Sequence, residues 1–215
     1  MACLLYCVSL NSSPPVPALT GVAEQAIQTY EAKDLRVCWS EVVNPETLVE
    51  GPSRKAAEAK YRQILRDIVG ITTPIAFPFP AIVPDVEAID PLLAEQQKSY
   101  TEALTRLDGL VQYDLTATWE DEAGRDLATP VSGREFARRR EAAEARVSAI
   151  DAKLKTVTAG IVHEWRSRQE RRNRLWFALV PRGEHERFIA SLRSAGPSQG
   201  VRLRLSGPWP PNEFV

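Results

Sequence analysis

The sequence predicts an α+β protein with two domains, residues 1–84 and 85–206, followed by a stiff C-terminal tail, residues 207–215. Short runs that are apolar throughout, or that alternate apolar with polar residues, predict strands. Longer runs with apolar residues three and four positions apart predict helices. Both patterns occur in both domains, and 215 residues, 44% of them hydrophobic, suffice for two small buried cores.

The first domain is predicted to follow the order β-α-β-α-β. A hydrophobic run of strand length predicts a strand at 2–10, a second strand is predicted at 35–43, and helical spacing predicts a short helix at 19–30. Ser53 is a suitable N-cap for a second helix, whose apolar stripe runs from Ala56 to Ile68. Residues 73–83 are then extended, and their prolines favour an edge or irregular strand.

The second domain begins with a long amphipathic pattern at 86–107 that Gly109 ends. A strand is predicted at 110–119, and an acidic turn follows it. From 132 to 165 the helical spacing returns as a second long helix, with a weak point at Gly160.

The rest of the second domain reads as a strand at 174–180, a helix at 183–194 and a strand at 200–206. With the preceding elements this order approaches the βαββαβ plan of ferredoxin-like domains. One strand of that plan is missing from the prediction. We therefore expect a modified ferredoxin-like domain with a long helical insert.

The tail interrupts the alternating pattern of the last strand. Prolines fix φ and remove backbone donors, so residues 209–215 are predicted to be neither helix nor paired strand. Burying one large aromatic side chain contributes about 2–3 kcal/mol, which favours a tail that folds back and docks between the two domains. The residues predicted to make this docking contact are Gly207, Pro208, Trp209, Pro210, Pro211 and Phe214.

Charge is distributed in two opposed blocks, although the whole chain has a net charge of −1. Residues 85–126 carry a net charge of −8, and residues 133–174 carry +6. Both blocks are explained equally well as solvated helix faces or as surfaces that meet another protein. In the second case the candidate partner-binding basic face comprises Arg138, Arg139, Arg140, Arg168 and Arg172.

The sequence gives little indication of catalysis, so we expect no catalytic, cofactor-binding or metal site. Cys3, Cys7 and Cys38 form no C-x-x-C pair and are expected to be reduced core residues. His163 lacks the second histidine of a zinc helix, and no nucleotide-binding or nucleophile-elbow motif occurs. No apolar run approaches the roughly 18 residues of a membrane span, and the N-terminus reads as a strand, so a cytoplasmic location is expected.

Two motifs resemble one protein family. The sequence GPWPP at 207–211, directly after an alternating strand, is similar to the C-terminal motif of the gas vesicle protein GvpF/GvpL family. SGREFARRREAAEA at 132–145 also resembles that family. The chain departs from the family pattern at Asn212 and Glu213, where a tyrosine and a small polar residue are usual, and at Pro78 and Pro80, where a PxRFG-like pattern is common.

The resemblance implies an accessory or minor structural protein of gas vesicles that is not an enzyme. Its expected partners are the shell protein GvpA and other gas vesicle accessory proteins, and its expected location is the gas vesicle in the cytoplasm. No cofactor, nucleic acid, membrane or small-molecule substrate is implied. The alternative function is nucleic-acid binding on a ferredoxin-like sheet, suggested by the arginines at 171, 172 and 174 beside Trp176.

Overall fold

The structure of the protein, a computed structural model, describes residues 1–50, 53–119, 133–170, 173–196 and 201–215. Contacts between Cα atoms divide the chain into two compact units. The first unit comprises Met1–Gln112 and Gly207–Val215, and the second comprises Tyr113–Ser206. The chain forms two four-stranded antiparallel sheets.

The elements of the first unit are β1 (Ala2–Leu10), β2 (Gln28–Ala32), β3 (Leu35–Val42), α1 (Glu46–Val49), α2 (Ser53–Val69), β4 (Ile75–Val83) and α3 (Ile89–Leu107). The unit is built on a sheet with the strand order β2-β3-β1-β4. The two central strands are almost entirely buried, whereas β2 is largely exposed at one edge. The proline-containing strand lies at the other edge, as the sequence predicts.

Helices α2 and α3 both pack against this sheet. Alternate residues of a strand point to opposite faces, and β1 is buried at every position from Cys3 to Ser9, so both faces of the sheet are covered. One core cluster joins β1 to α2 through Leu4, Tyr6 and Ile64. Helix α3 buries its own apolar stripe, formed by Ile89, Leu93, Leu104 and Leu107.

Tyr61 ties α2 to two strands at an irregular point of the sheet. The pairing of β1 with β4 jumps from Leu5–Ala81 to Cys7–Ala76, which leaves a bulge on both strands. The Tyr61 hydroxyl points its proton towards two backbone acceptors, the carbonyl oxygen of Tyr6 at 2.8 Å and that of Phe77 at 2.7 Å. Burial raises the pKa of Tyr61, so this hydroxyl keeps its proton.

Arg36 is the one guanidinium among the buried residues of the described chain, and its side chain is 10% exposed. It donates to the backbone carbonyls of Asn11 (3.0 Å), Ser13 (3.3 Å) and Pro14 (3.4 Å). It also lies 3.4 Å from the exposed carboxylate of Glu31. The loop after β1 is therefore held by a charged donor that comes from β3.

The predicted helix at 19–30 is wrong. The segment contains a 3-10 turn at Val22–Glu24 and then enters β2, which forms a hairpin with β3 in which Ala32 pairs with Leu35. Lys33 occupies the hairpin turn with a φ of 53°. The helix-like spacing has a different cause, because Leu19, Val22 and Ile27 reach the core from an irregular segment. The first unit thus has three consecutive strands in place of the predicted β-α-β-α-β order.

The structure also places the boundary between the units differently. The sequence predicts a boundary at 84/85, but α3 packs against β1, β2 and β4 and belongs to the first unit. The boundary lies between Gln112 and Tyr113, inside β5 (Leu110–Trp119). The apolar stripe of α3 predicts a helix correctly but carries no information about which sheet that helix covers.

The second unit has the element order β-α-β-β-α-β. The elements after β5 are α4 (Gly133–Val157), β6 (Glu164–Glu170), β7 (Asn173–Pro181), α5 (His185–Ser194) and β8 (Val201–Trp209). The strand order is β6-β7-β5-β8. The strand that is missing from the prediction is present as β6, which pairs with β7 in antiparallel register.

Two boundaries in this region differ from the prediction. The helix predicted to run from 132 to 165 ends at Val157, and the chain turns at Gly160 with a φ of 75°, so Trp165 lies in β6. Strand β8 continues through Gly207 and Pro208 to Trp209, beyond the predicted end at 206. Proline has no backbone N–H to donate, but its carbonyl oxygen and the backbone groups of the adjoining residues can still form hydrogen bonds with a neighbouring strand.

Candidate functional site

The C-terminal tail packs on the first unit, with which Gly207–Val215 is grouped. Phe214 is completely buried, and Pro210 and Pro211 are buried as well. The terminal Val215 is 49% exposed, so burial is selective along the tail. All the tail contacts described below are with residues of the first unit. Docking of the tail between the two domains stays a prediction.

Two arginines of the first unit hold the ends of the tail. The Arg66 guanidinium, from α2, lies 4.3 Å from the centroid of the Trp209 ring, which is the geometry of a cation–π contact. Arg106, near the C-terminal end of α3, donates to the backbone carbonyl of Phe214. Charged donors are among the stronger hydrogen-bonding groups in proteins, so this bond fixes the backbone beside the buried ring.

The side chain of Asn212 forms a pair of hydrogen bonds with the backbone of the edge strand β4, as a neighbouring strand would. Its Oδ1 accepts from the backbone N–H of Ala76 at 2.9 Å, and its Nδ2 donates to the carbonyl of the same residue at 2.7 Å. The N–H of Glu213 donates to Oε1 of Gln112 at 3.0 Å. The position at which the chain departs from the family pattern therefore has a specific docking role in this protein.

We expect Asn212→Ala to weaken this attachment. The substitution removes two hydrogen bonds at an exposed site where water replaces them, so the expected loss of stability is about 1–2 kcal/mol. Urea unfolding of the full chain, followed by circular dichroism, measures this loss. Asn44→Ala, at another exposed asparagine, is the matched control and should change stability by less than about 0.5 kcal/mol. Equal values for the two variants would contradict the docking role.

The structure describes only part of the candidate basic face. Arg138, Arg139 and Arg140 lie in α4, but their side chains lie outside what the structure describes, and Arg172 lies outside the described residues. Arg168 is exposed on β6, and its guanidinium lies 4.9 Å from the centroid of the Phe177 ring on β7. Whether these five arginines share one surface stays a prediction.

His185 lies in the second unit beside Tyr113. Its Nδ1 is hydrogen-bonded to the Tyr113 hydroxyl, and the two rings are stacked with centroids 5.6 Å apart. Phe188 also packs against Tyr113, with its ring centroid 4.9 Å from that of the tyrosine. Burial raises the pKa of Tyr113 to about 12, so the phenol stays protonated at neutral pH.

Sequence reasoning identifies the tail but misses several of its anchors. Arg66 and Arg106 have the pattern of solvated helix residues, and only the three-dimensional structure brings them to Trp209 and Phe214. Asn212 stands out in the sequence only as a departure from the family, with no sign that it binds β4. Asp121 and Glu122, the adjacent carboxylates of the acidic turn, lie outside the described residues.

The class of protein follows from these features: a two-unit α/β protein, with two antiparallel sheets and an aromatic C-terminus that folds back on the first unit. In the described part of the chain no helix is long and apolar enough to cross a membrane. A family model for the gas vesicle synthesis protein GvpL/GvpF matches residues 2–215. The chain belongs to this family, as the two sequence motifs indicate.

Solved structures agree with this assignment. The chain is similar to the crystal structure of the gas vesicle protein GvpF from an Anabaena species, with a TM-score of 0.78 and 15% identity over 99% of this chain and 95% of that one. It is also similar to GvpF from Microcystis aeruginosa, with a TM-score of 0.77 and 13% identity over 99% and 98% of the two chains. These likenesses establish a shared fold. No curated protein sequence matches the chain.

Proposed function

We propose that this protein is a gas vesicle accessory or minor structural protein that binds the shell protein GvpA and other accessory proteins during vesicle assembly. The observation that carries the proposal is membership of the GvpL/GvpF family over residues 2–215. We also class the second unit as ferredoxin-like, because its βαββαβ order and its strand order β6-β7-β5-β8 fit that plan. The proposed location is the gas vesicle in the cytoplasm.

The proposed mechanism is that of a binding module with two parts. The tail, anchored through Trp209 and Phe214, fixes the folded scaffold. A separate surface then receives the partner, and exposed Arg168 on β6 is the described member of the basic face that we propose for this role. Contacts of exposed charges are screened by salt, so capture through this face should weaken at higher ionic strength.

One groove on the described residues agrees with a binding role without catalysis. It has a volume of about 460 Å³, runs along α2, and is lined by side chains of that one helix, all of them charged or polar except Ala59. Ligand sites are more often concave, largely apolar and supplied with a few convergent polar groups. We therefore propose no enzymatic activity, cofactor or small-molecule substrate for this chain.

The alternative of nucleic-acid binding is not favoured by the aromatic residues of the second unit. Trp176, the tryptophan beside the arginine-rich segment, is 1% exposed, and its indole N–H donates to Asp151 at 3.2 Å. A base needs an exposed ring on which to stack. We propose that the chain binds no nucleic acid. A gel shift at two salt concentrations separates the alternatives, since phosphate contacts give a steep salt dependence.

The experiment that tests the proposed function is a pull-down of GvpA by the full chain. Three further forms are compared with it: the chain lacking Gly207–Val215, Arg168→Glu as a charge reversal on β6, and Lys60→Glu as a charge reversal on α2. Circular dichroism of each form checks folding. We expect capture by the full chain, reduced capture by Arg168→Glu, and unchanged capture by Lys60→Glu. If the full chain captures no GvpA, the proposal is wrong.

The deletion separates the two parts of the mechanism. If the chain without its tail unfolds more easily and also loses capture, the tail acts through the scaffold. If folding and capture are both unchanged, the tail has no part in the mechanism, whereas the binding proposal is unaffected.

A further inference from the structure

The sheet of the first unit brings two of the three cysteines together. Cys7 on β1 is directly opposite Cys38 on β3, as its Cα partner in the antiparallel pair. Opposed residues of an antiparallel pair have Cα atoms about 4.5–5.5 Å apart and side chains on the same face. Cα atoms in disulfides lie about 4.4–6.8 Å apart, so the strands already hold these residues at a bridging distance.

Both cysteines are free and belong to the same core cluster. Cys7 is completely buried, and Cys38 is 1% exposed. The β-bulge at Tyr6 precedes Cys7, and the regular pairing with β3 resumes with Cys7 opposite Cys38. The bulge therefore sets the register in which Cys7 lies opposite Cys38.

The two thiols are not equivalent. Hydrogen bonding between them raises the pKa of Cys7 and lowers the pKa of Cys38. The nearby Arg36 also lowers the pKa of Cys38. The nucleophile for sulfur chemistry is the thiolate, so we expect Cys38 to attack and Cys7 to resolve.

Cys3 lacks these features, although it lies on the same strand. Its partner across β3 is Glu41 and its partner across β4 is Val83, so no second thiol faces it in these described strands. Its Sγ is 3.9 Å from the carbonyl oxygen of Met1. Burial raises the pKa of the Cys3 thiol, which keeps it protonated.

We propose that Cys7 and Cys38 form a redox-active dithiol in the core of the first unit, which a hydroperoxide converts to a cross-strand disulfide. Hydrogen peroxide is neutral and close to water in dimensions, so among disulfide-forming oxidants it is the one we expect to reach a buried pair. The strands joined in this way are the two central ones of the sheet.

The chemistry balances with one molecule of peroxide. The Cys38 thiolate attacks one peroxide oxygen, the O–O bond breaks, and the departing hydroxide takes up the proton that Cys38 released, which leaves a sulfenic acid. The Cys7 sulfur then attacks the Cys38 sulfur, the S–O bond breaks, and hydroxide leaves with the proton of Cys7 as water. Two thiols lose two electrons, and one peroxide becomes two waters.

The test uses the folded full chain treated with hydrogen peroxide, quenched with catalase and alkylated in denaturant. Non-reducing peptide mapping by mass spectrometry should find one new species, the cross-linked Cys7 and Cys38 peptides, 2 mass units lighter than the sum of the free ones. Two of the three thiols should disappear together and return with dithiothreitol. The oxidised protein should also melt about 5 °C or more above the reduced one, because the cross-link constrains the unfolded chain.

Single cysteine variants give a second, independent check on which two residues form the cross-link. Cys3→Ser should leave the cross-link unchanged, whereas Cys7→Ser and Cys38→Ser should each abolish it. The proposal is overturned if the folded chain keeps all three thiols at a peroxide dose that consumes them in the urea-unfolded chain, or if the cross-link that forms involves Cys3. Because the mapping is done on the unaltered sequence, a variant that fails to fold leaves the test intact.

Discussion

Replacing Phe214 by alanine is expected to lower the free energy of unfolding of the first unit by about 3–5 kcal/mol. Phe214 is completely buried, and removing its ring takes away apolar burial and leaves a cavity beside the backbone that Arg106 holds. A loss of this size is a large part of the stability of a small domain. Urea unfolding of the full chain, followed by circular dichroism and by tryptophan fluorescence, measures it.

The neighbouring residue supplies the control for this prediction. Val215 is 49% exposed, so Val215→Ala at the same end of the chain should cost less than about 0.5 kcal/mol. If Phe214→Ala were as mild as Val215→Ala, the last residues would not be docked in solution. The scaffold role proposed for the tail would then have no basis.

The tail illustrates how far the sequence alone can lead. The prolines and aromatics of residues 207–215 predict a stiff segment with apolar area to bury, and Phe214 is buried. Its anchors are not predictable, because Arg66, Ala76 and Arg106 are distant in sequence and nothing in their local patterns marks them as contacts of the tail. Local composition states that a segment must pack, but the fold of the rest of the chain decides where.

The errors in the fold have a related cause. The apolar residues at helical spacing between 19 and 30 contact the core. An irregular segment that crosses the core can have the same spacing as a helix, so the pattern does not distinguish the two. The stripe of α3 is likewise indifferent to which sheet lies beneath it, so the predicted boundary comes too early in the chain. Strand β6 is absent from the prediction because its seven residues are mostly polar and exposed, which leaves an edge strand little apolar alternation.

The burial of Arg36 could not be predicted at all, since nothing in its local sequence distinguishes it from a surface residue of an alternating strand. We expect Arg36→Met to lower the free energy of unfolding by about 2–3 kcal/mol, because methionine keeps the apolar stem but leaves the carbonyls of Asn11, Ser13 and Pro14 without their charged donor. Amide hydrogen exchange should also become faster at Asn11 and Ser13, whose N–H groups donate to backbone carbonyls at this end of the sheet.

Two controls separate the carbonyl contacts of Arg36 from its ion pair. Glu31→Gln removes the charge of a carboxylate that is 61% exposed, so it should cost less than about 0.5 kcal/mol. Arg62→Met removes an arginine that is itself 61% exposed and pairs with Glu58, and a similarly small loss is expected. If Glu31→Gln cost as much as Arg36→Met, the ion pair and not the loop carbonyls would account for the burial of the guanidinium. A loss confined to Arg36→Met means that β3 holds the loop after β1 through a buried charge, which stays favourable only while its backbone acceptors remain in place.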